Sequence, residues 1–272
     1  KPHRAIINLI YRHVSMLIMP YSTGFLLVSS FAPQISIYKM IGLNCIFVIV
    51  YVIIGYYLYI RNIQDDEISQ YSFKWENLAG LLKYTAPIYV AVLLNLMLGV
   101  PFYLGMLASL LAVFLLHPTK MFLTDVLRAF NFNVLYALIG VYLIQGIIGR
   151  MESLTSVLTL ILGNPNTVML GIIATAFFFG VTTGFQPTAL GVILPILVTL
   201  PLSGNLLLMY CCFAFNWAFI GYFFSPLHLC QLFTCEYLQV GMTDLYKEYW
   251  KFFVSIIAVL VISYFVMGFF IG

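Results

Sequence analysis

The sequence predicts an all-α polytopic membrane protein of about eight to nine transmembrane or re-entrant helices, some of them broken, at about 20 residues per crossing. Three observations predict it. Of the 272 residues 63% are hydrophobic and 8% are charged, and the mean hydropathy is +1.04. A soluble domain carries about a quarter charged residues and could not hide so much apolar surface from water. Two long stretches, Tyr84 to Thr119 and the residues between Glu152 and Glu236, hold no Asp, Glu, Lys or Arg. Segments such as Ile46 to Ile54 are apolar on every side. A β-barrel strand would alternate, so the crossings are helical.

The elements follow in order. A basic lead-in of Lys1, Arg4 and Arg12 precedes a first span, about Val14 to Pro33. A second span covers about Met40 to Ile60. The polar stretch Arg61 to Asn77, with Asp65, Asp66, Glu67 and Glu76, is a water-facing loop. Tyr84 to Thr119 is read as two spans in a tight hairpin, broken at Gly99-Val100-Pro101. His117 to Ala129 reads as an amphipathic connector with Lys120, Asp125 and Arg128 on its polar side. A further span, Asn133 to Gly149, stops at Arg150-Met151-Glu152, a helix-end pair. The uncharged stretch that follows has room for three or more crossings at about 20 residues each. Its punctuation is Gly163 to Asn166, Gly184 to Pro187, Pro201 to Gly204 and Ser225-Pro226. A last span covers Trp250 to Phe270. Two regions result: 1–130, scaffold and linker helices with the connector, and 131–272, a transport region with broken helices.

Lysine and arginine placement gives an orientation. With the N-terminal end in the cytoplasm, Lys1, Arg4, Arg12, Arg61, Lys74, Lys83, Lys120 and Arg128 all fall inside, and only Lys39 falls outside among the first four spans. The expected location is the plasma membrane. The net charge of +3 offers no basic patch for nucleic acid. The expected partners are the lipid bilayer and a small solute, and a homodimer is an open alternative.

The five cysteines, Cys45, Cys211, Cys212, Cys230 and Cys235, lie in apolar surroundings without a CxxC spacing. They read as reduced packing residues, and no metal site is expected. There is no HExxH and no GxSxG, so the chain is not expected to be an enzyme. A Ser225, His228 and Glu236 cluster would be needed to revive that alternative.

Two interrupted segments carry the functional reading. In Phe179 to Gly191, Gly180 and Gly184 permit unusual backbone angles and Pro187 removes a donor. Freed backbone groups cannot stay unpaired in hydrocarbon. Secondary transporters use such breaks, aiming helix ends at substrate and unwound carbonyls at a coupling cation. Thr182, Thr183, Gly184, Gln186 and Thr188 are the candidate ligands here. The alternative is a proline kink in a packed helix, with the threonines bonding back to their own turn. The second segment runs from Ser225 to Glu236 and follows a span containing Asn216. Ser225-Pro226 reads as a break and restart. Asn216, Ser225 and His228 are candidates there, against a reading of Asn216 as interhelical glue and His228 as a neutral bridge. No fixed cation lies between Thr182 and Glu236, so recognition would rest on dipoles, hydroxyls and amides. That suits a small carboxylate-like or polar solute coupled to sodium or protons, with no other cofactor. A non-transporting scaffold or assembly subunit is the other alternative.

The run Gly180 to Pro195 with Ser225-Pro-Leu-His-Leu-Cys-Gln-Leu-Phe-Thr-Cys-Glu-Tyr237 resembles the C-terminal half of domain-of-unknown-function family 401. The lead-in Ile7-Asn-Leu-Ile-Tyr-Arg-His13, with Pro20 after it, is similar to that family's middle region. The family is grouped with the ion transporter superfamily, beside gluconate, citrate and dicarboxylate carriers and the large membrane subunits of TRAP transporters. The resemblance implies two inverted repeats, each with a re-entrant hairpin and a broken helix. It places Thr182, Thr183, Gly184 and Ser225 to His228 at the second half-site. It implies no substrate. An earlier glycine- and proline-rich half-site has no counterpart here, so the chain is expected to be the C-terminal part of an N-terminally truncated protein.

Overall fold

A computed structural model describes residues 2–61, 63, 75–116, 152–164 and 167–271, with isolated positions between 124 and 143. Every regular element among the described residues is helical. Most of the polar loop at 61–77, the connector at 117–129, the span at 133–149 and the Arg150–Glu152 pair lie outside the described residues or have undescribed side chains. The chain divides into two compact units, Lys1–Ile63 with Gly140–Gly272, and Gln64–Ile139.

The second unit contains a helical hairpin. Helix α4 (Trp75–Leu98) and helix α5 (Phe102–Leu116) are joined at Gly99-Val100-Pro101, as the sequence suggests. Gly99 adopts a positive φ of 64°, which glycine alone takes without strain. Its N–H donates to the Asn95 carbonyl, and the Asn95 amide donates to the Val100 carbonyl at 2.8 Å. The helices pack tightly where Gly105 meets Ala91. The Ser109 hydroxyl crosses to the Pro87 carbonyl at 2.6 Å.

The first unit begins with α1 (Pro2–His13), which buries Ala5, Ile6, Leu9, Ile10 and His13 on one face. The expected first span at 14–33 is not one rod. A 3₁₀ turn (Val14–Leu17) is followed by a turn and a short α2 (Thr23–Phe31). Pro20 cannot donate to a helical ladder, and Ser22 and Gly24 favour a new start. Gly24 is needed for packing too, because a Cβ there would press within 2.7 Å of the Phe215 ring.

Helix α3 (Ile37–Gly55) runs on into a π turn (Tyr56–Ile60), matching the second expected span closely. Later come α6 (Glu152–Gly163), α7 (Val168–Ile172), a π turn (Ile173–Phe177), α8 (Phe178–Thr183) and α9 (Gln186–Leu197). The last three are α10 (Gly204–Phe223), α11 (Leu229–Leu238) and α12 (Met242–Ile271). Three helices among the described residues are long and apolar enough to cross a membrane: Ile37–Ile60, Gly204–Phe223 and Met242–Phe269.

These three differ in surroundings. Nearly all of α10 is buried, from Met209 to Phe223 without interruption. On α3, Ile46, Ile49 and Ile53 are exposed, and on α12 so are Val254, Ile262, Phe265 and Phe269. Apolar residues exposed in such rows suit lipid as the surrounding medium. Helix α10 is therefore the axis of the unit, and α3 and α12 form part of its rim. Helix α9 is buried along its whole length apart from Pro195, but twelve residues span only about 18 Å. The hydrocarbon layer is about 30 Å thick, so α9 is a half-length rod inside protein.

Candidate functional site

Both expected helix breaks are present, and they touch. Helix α8 ends at Thr183, and Gly184 follows in the left-handed region at φ 62°. Its N–H closes the helix by donating to the Gly180 carbonyl at 3.0 Å. Phe185 is extended, and α9 restarts at Gln186 with Pro187 in its first turn, where its missing donor costs nothing. The second break follows Phe223. Phe224, Ser225, Pro226 and Leu227 lead to His228, the residue at the N-terminal boundary of α11, whose side chain makes no capping bond.

Ser225 ties one break to the other. Its buried hydroxyl donates to the Val181 carbonyl at 2.5 Å and accepts from the Leu227 N–H at 3.1 Å. Directly beside this bond, a Cβ on Gly184 would lie 2.8 Å from the Leu227 carbonyl group. One turn further along, Gly180 and Gly221 let the α8 and α10 backbones meet. A Cβ on Gly221 would come within 2.5 Å of the Phe177 carbonyl. Small residues do the same at packed helix crossings in membranes. The π turn lies immediately before α8, and such turns are frequent at functional sites.

The other candidates fall in different places. Thr182 is exposed and its hydroxyl donates to the Phe178 carbonyl at 2.8 Å. Thr183 donates to the Phe179 carbonyl at 2.6 Å, and its oxygen receives the Phe185 N–H. Both hydroxyls thus serve their own turn. Gln186 points at α10, its amide donating to the Phe215 carbonyl at 3.1 Å. Thr188 is fully buried and its hydroxyl has no partner. Asn216 donates to the Asn44 side chain at 2.8 Å and to the Cys212 carbonyl at 2.9 Å. The remaining Asn44 amide nitrogen and Asn216 oxygen are buried without partners. Asn44 escaped the sequence reading, although an amide inside an apolar span was a signal.

His228 lies in a third cluster that the sequence did not reveal. Its ring centroid is 4.8 Å from that of His13, edge-on, and 4.2 Å from that of Tyr222. His13 Nδ1 bonds the Leu9 carbonyl at 2.8 Å, and His228 Nδ1 approaches the Phe223 carbonyl at 3.4 Å. Cys230 completes the group, with one ligand atom from each of the three residues within 4.8 Å of the others. Arg12 reaches the Cys230 carbonyl and the Thr234 hydroxyl, each at 3.5 Å. The uncharged stretch therefore does have a cation beside it, carried in from α1.

Over residues 2–268 the sequence matches the family described as protein of unknown function (DUF401). The chain belongs to this family. No curated protein and no solved structure matches it. Within the first unit of this DUF401 chain, Asn216 lies on α10, Gln186 bonds to it, and Ser225 and His228 follow its broken C-terminal end.

Proposed function

We propose that this DUF401 chain is the solute-binding part of a secondary active transporter for a small organic anion or similar polar solute, driven by sodium or protons. The observation that carries the reading is the meeting of two helix breaks, Gly184 against Leu227 and Ser225 on Val181. Broken helices that converge are how such transporters present helix ends and loose carbonyls to a guest. Buried polar atoms without partners at Thr188, Asn44, Asn216 and His228 support it. Each is costly unless water, an ion or a solute satisfies it. Arg12 adds positive charge suited to an anion.

On this reading the chain is a multi-pass plasma-membrane protein with its N-terminal end in the cytoplasm. Its eight to nine crossings and re-entrant segments, at about 20 residues each, belong to an inverted-repeat fold of the ion transporter superfamily. The half-length α9 and the α8–α9 break correspond to the broken helix of one repeat.

The test is flux into proteoliposomes holding the full-length protein, with a panel of carboxylates and imposed sodium or proton gradients. Gradient-driven uptake that falls at least tenfold in Ser225→Ala supports the reading. No gradient-dependent uptake of any solute, from protein that is folded and inserted, overturns it in favour of a scaffold subunit.

A further inference from the structure

We propose that His13, His228 and Cys230 form a binding site for a d¹⁰ transition-metal ion, with Zn²⁺ and Cu⁺ as the two candidates. The residues come from distant parts of the chain, the end of α1 and the start of α11, and one ligand atom of each lies within 4.8 Å of the others. Two imidazoles and a thiolate are the donor set that borderline and soft cations select. A tetrahedral ion with bonds of about 2.0–2.3 Å holds its ligands roughly 3.3–3.8 Å apart, so closure needs side-chain movements of about 1 Å.

Two further observations point to a ligand. The Leu9 and Phe223 carbonyls can only accept, so each bonded Nδ1 carries the proton. The lone pair of each ring is then on Nε2. Metal-binding histidines are oriented in this way, the second nitrogen donating to a carbonyl. His228 Nε2 is also buried without a partner, in a residue only 1% exposed. A buried acceptor left open costs free energy that a bound ion would offset.

Binding replaces the Cys230 S–H bond with an S–metal bond, and the proton passes to solvent. No electron is transferred. Three protein ligands leave a fourth coordination position, as in zinc sites that hold water or a solute. The site stands whether or not the chain transports anything, because the test measures binding alone.

The experiment uses the full chain in detergent, stripped with chelator and kept reduced. Alkylation of each cysteine by N-ethylmaleimide is followed by mass spectrometry with and without Zn²⁺, and separately with Cu⁺. Cys45 is partly exposed like Cys230 and serves as the internal control. The expected result is at least tenfold slower alkylation of Cys230 with Cys45 unchanged, and the ion that protects at lower concentration is the preferred one. In parallel, Co²⁺ should give a thiolate charge-transfer absorption that disappears in Cys230→His while Co²⁺ binding persists. Equal Cys230 alkylation with and without both ions overturns the proposal, and this arm needs no variant to fold. Protection that survives unchanged in folded His13→Gln and His228→Gln also overturns it.

Discussion

Gly184 faces the backbone of Leu227 so closely that an added Cβ would lie 2.8 Å from the Leu227 carbonyl carbon and oxygen. The residue is also held at φ 62°. Space and conformation thus both exclude a side chain at the point where the two breaks touch.

Gly184→Ala is therefore expected to destabilise the protein. The left-handed conformation costs a non-glycine residue about 1–2 kcal/mol, and the contact with backbone adds about 1–3 kcal/mol of overpacking. Gly268→Ala is the comparison, since its Cβ would meet nothing and α12 would gain helix propensity. Thermal unfolding in detergent should show a clear drop in Tm for the first and no drop for the second.

Ser225→Ala removes one bond that crosses between the breaks and one that caps the turn. A lost hydrogen bond costs about 1 kcal/mol, and a carbonyl left unpaired in a buried place raises this to about 1–3 kcal/mol. Ser225→Thr keeps the hydroxyl. It should retain the bond, and its extra methyl should cost less than the alanine change. Equal stability of Ser225→Ala and wild type in unfolding measurements would remove Ser225 as the tie.

The breaks were legible because their causes are local. Gly184 and Pro187, and Ser225-Pro226, punctuate helices from within four residues. The Gly99–Pro101 hairpin was legible for the same reason. Their meeting was not legible, because Val181 and Ser225 are 44 residues apart. The reading of 14–33 as a span failed because average apolarity outweighed Pro20 and the Ser22 to Gly24 restart. The metal-capable cluster was missed for a reason of topology. Cys230 has no CxxC partner, its histidine His13 lies 217 residues away, and the neighbouring Arg12 contact closes over 218 residues. Sequence spacing has no access to a ligand delivered by α1.

Asn44 and Asn216 bond each other inside an apolar bundle, so their contributions should be coupled. Such interhelical bonds average about 0.6 kcal/mol in membrane proteins. Asn216→Leu alone leaves the Asn44 amide without its partner. The double variant Asn44→Leu, Asn216→Leu removes both groups. It should be less destabilised than the sum of the single variants, in a double-mutant cycle of detergent unfolding. Strict additivity would show that the pair is not an energetic unit.

Arg12 separates packing from recognition. Arg12 is an exposed residue and its contacts to Cys230 and Thr234 are long, so screening by water leaves them little weight in stability. Arg12→Gln should therefore unfold at nearly the wild-type temperature. A solute carrying a carboxylate would still feel the missing charge. Under the transporter reading, uptake of an anion should show a KM raised several-fold with little change in maximal rate, because the lost attraction acts on the bound solute before any conformational step. A neutral solute should show no change in KM. If the KM of an anionic solute is identical in Arg12→Gln and wild type, the cation does not face the guest, and recognition rests on the helix breaks alone.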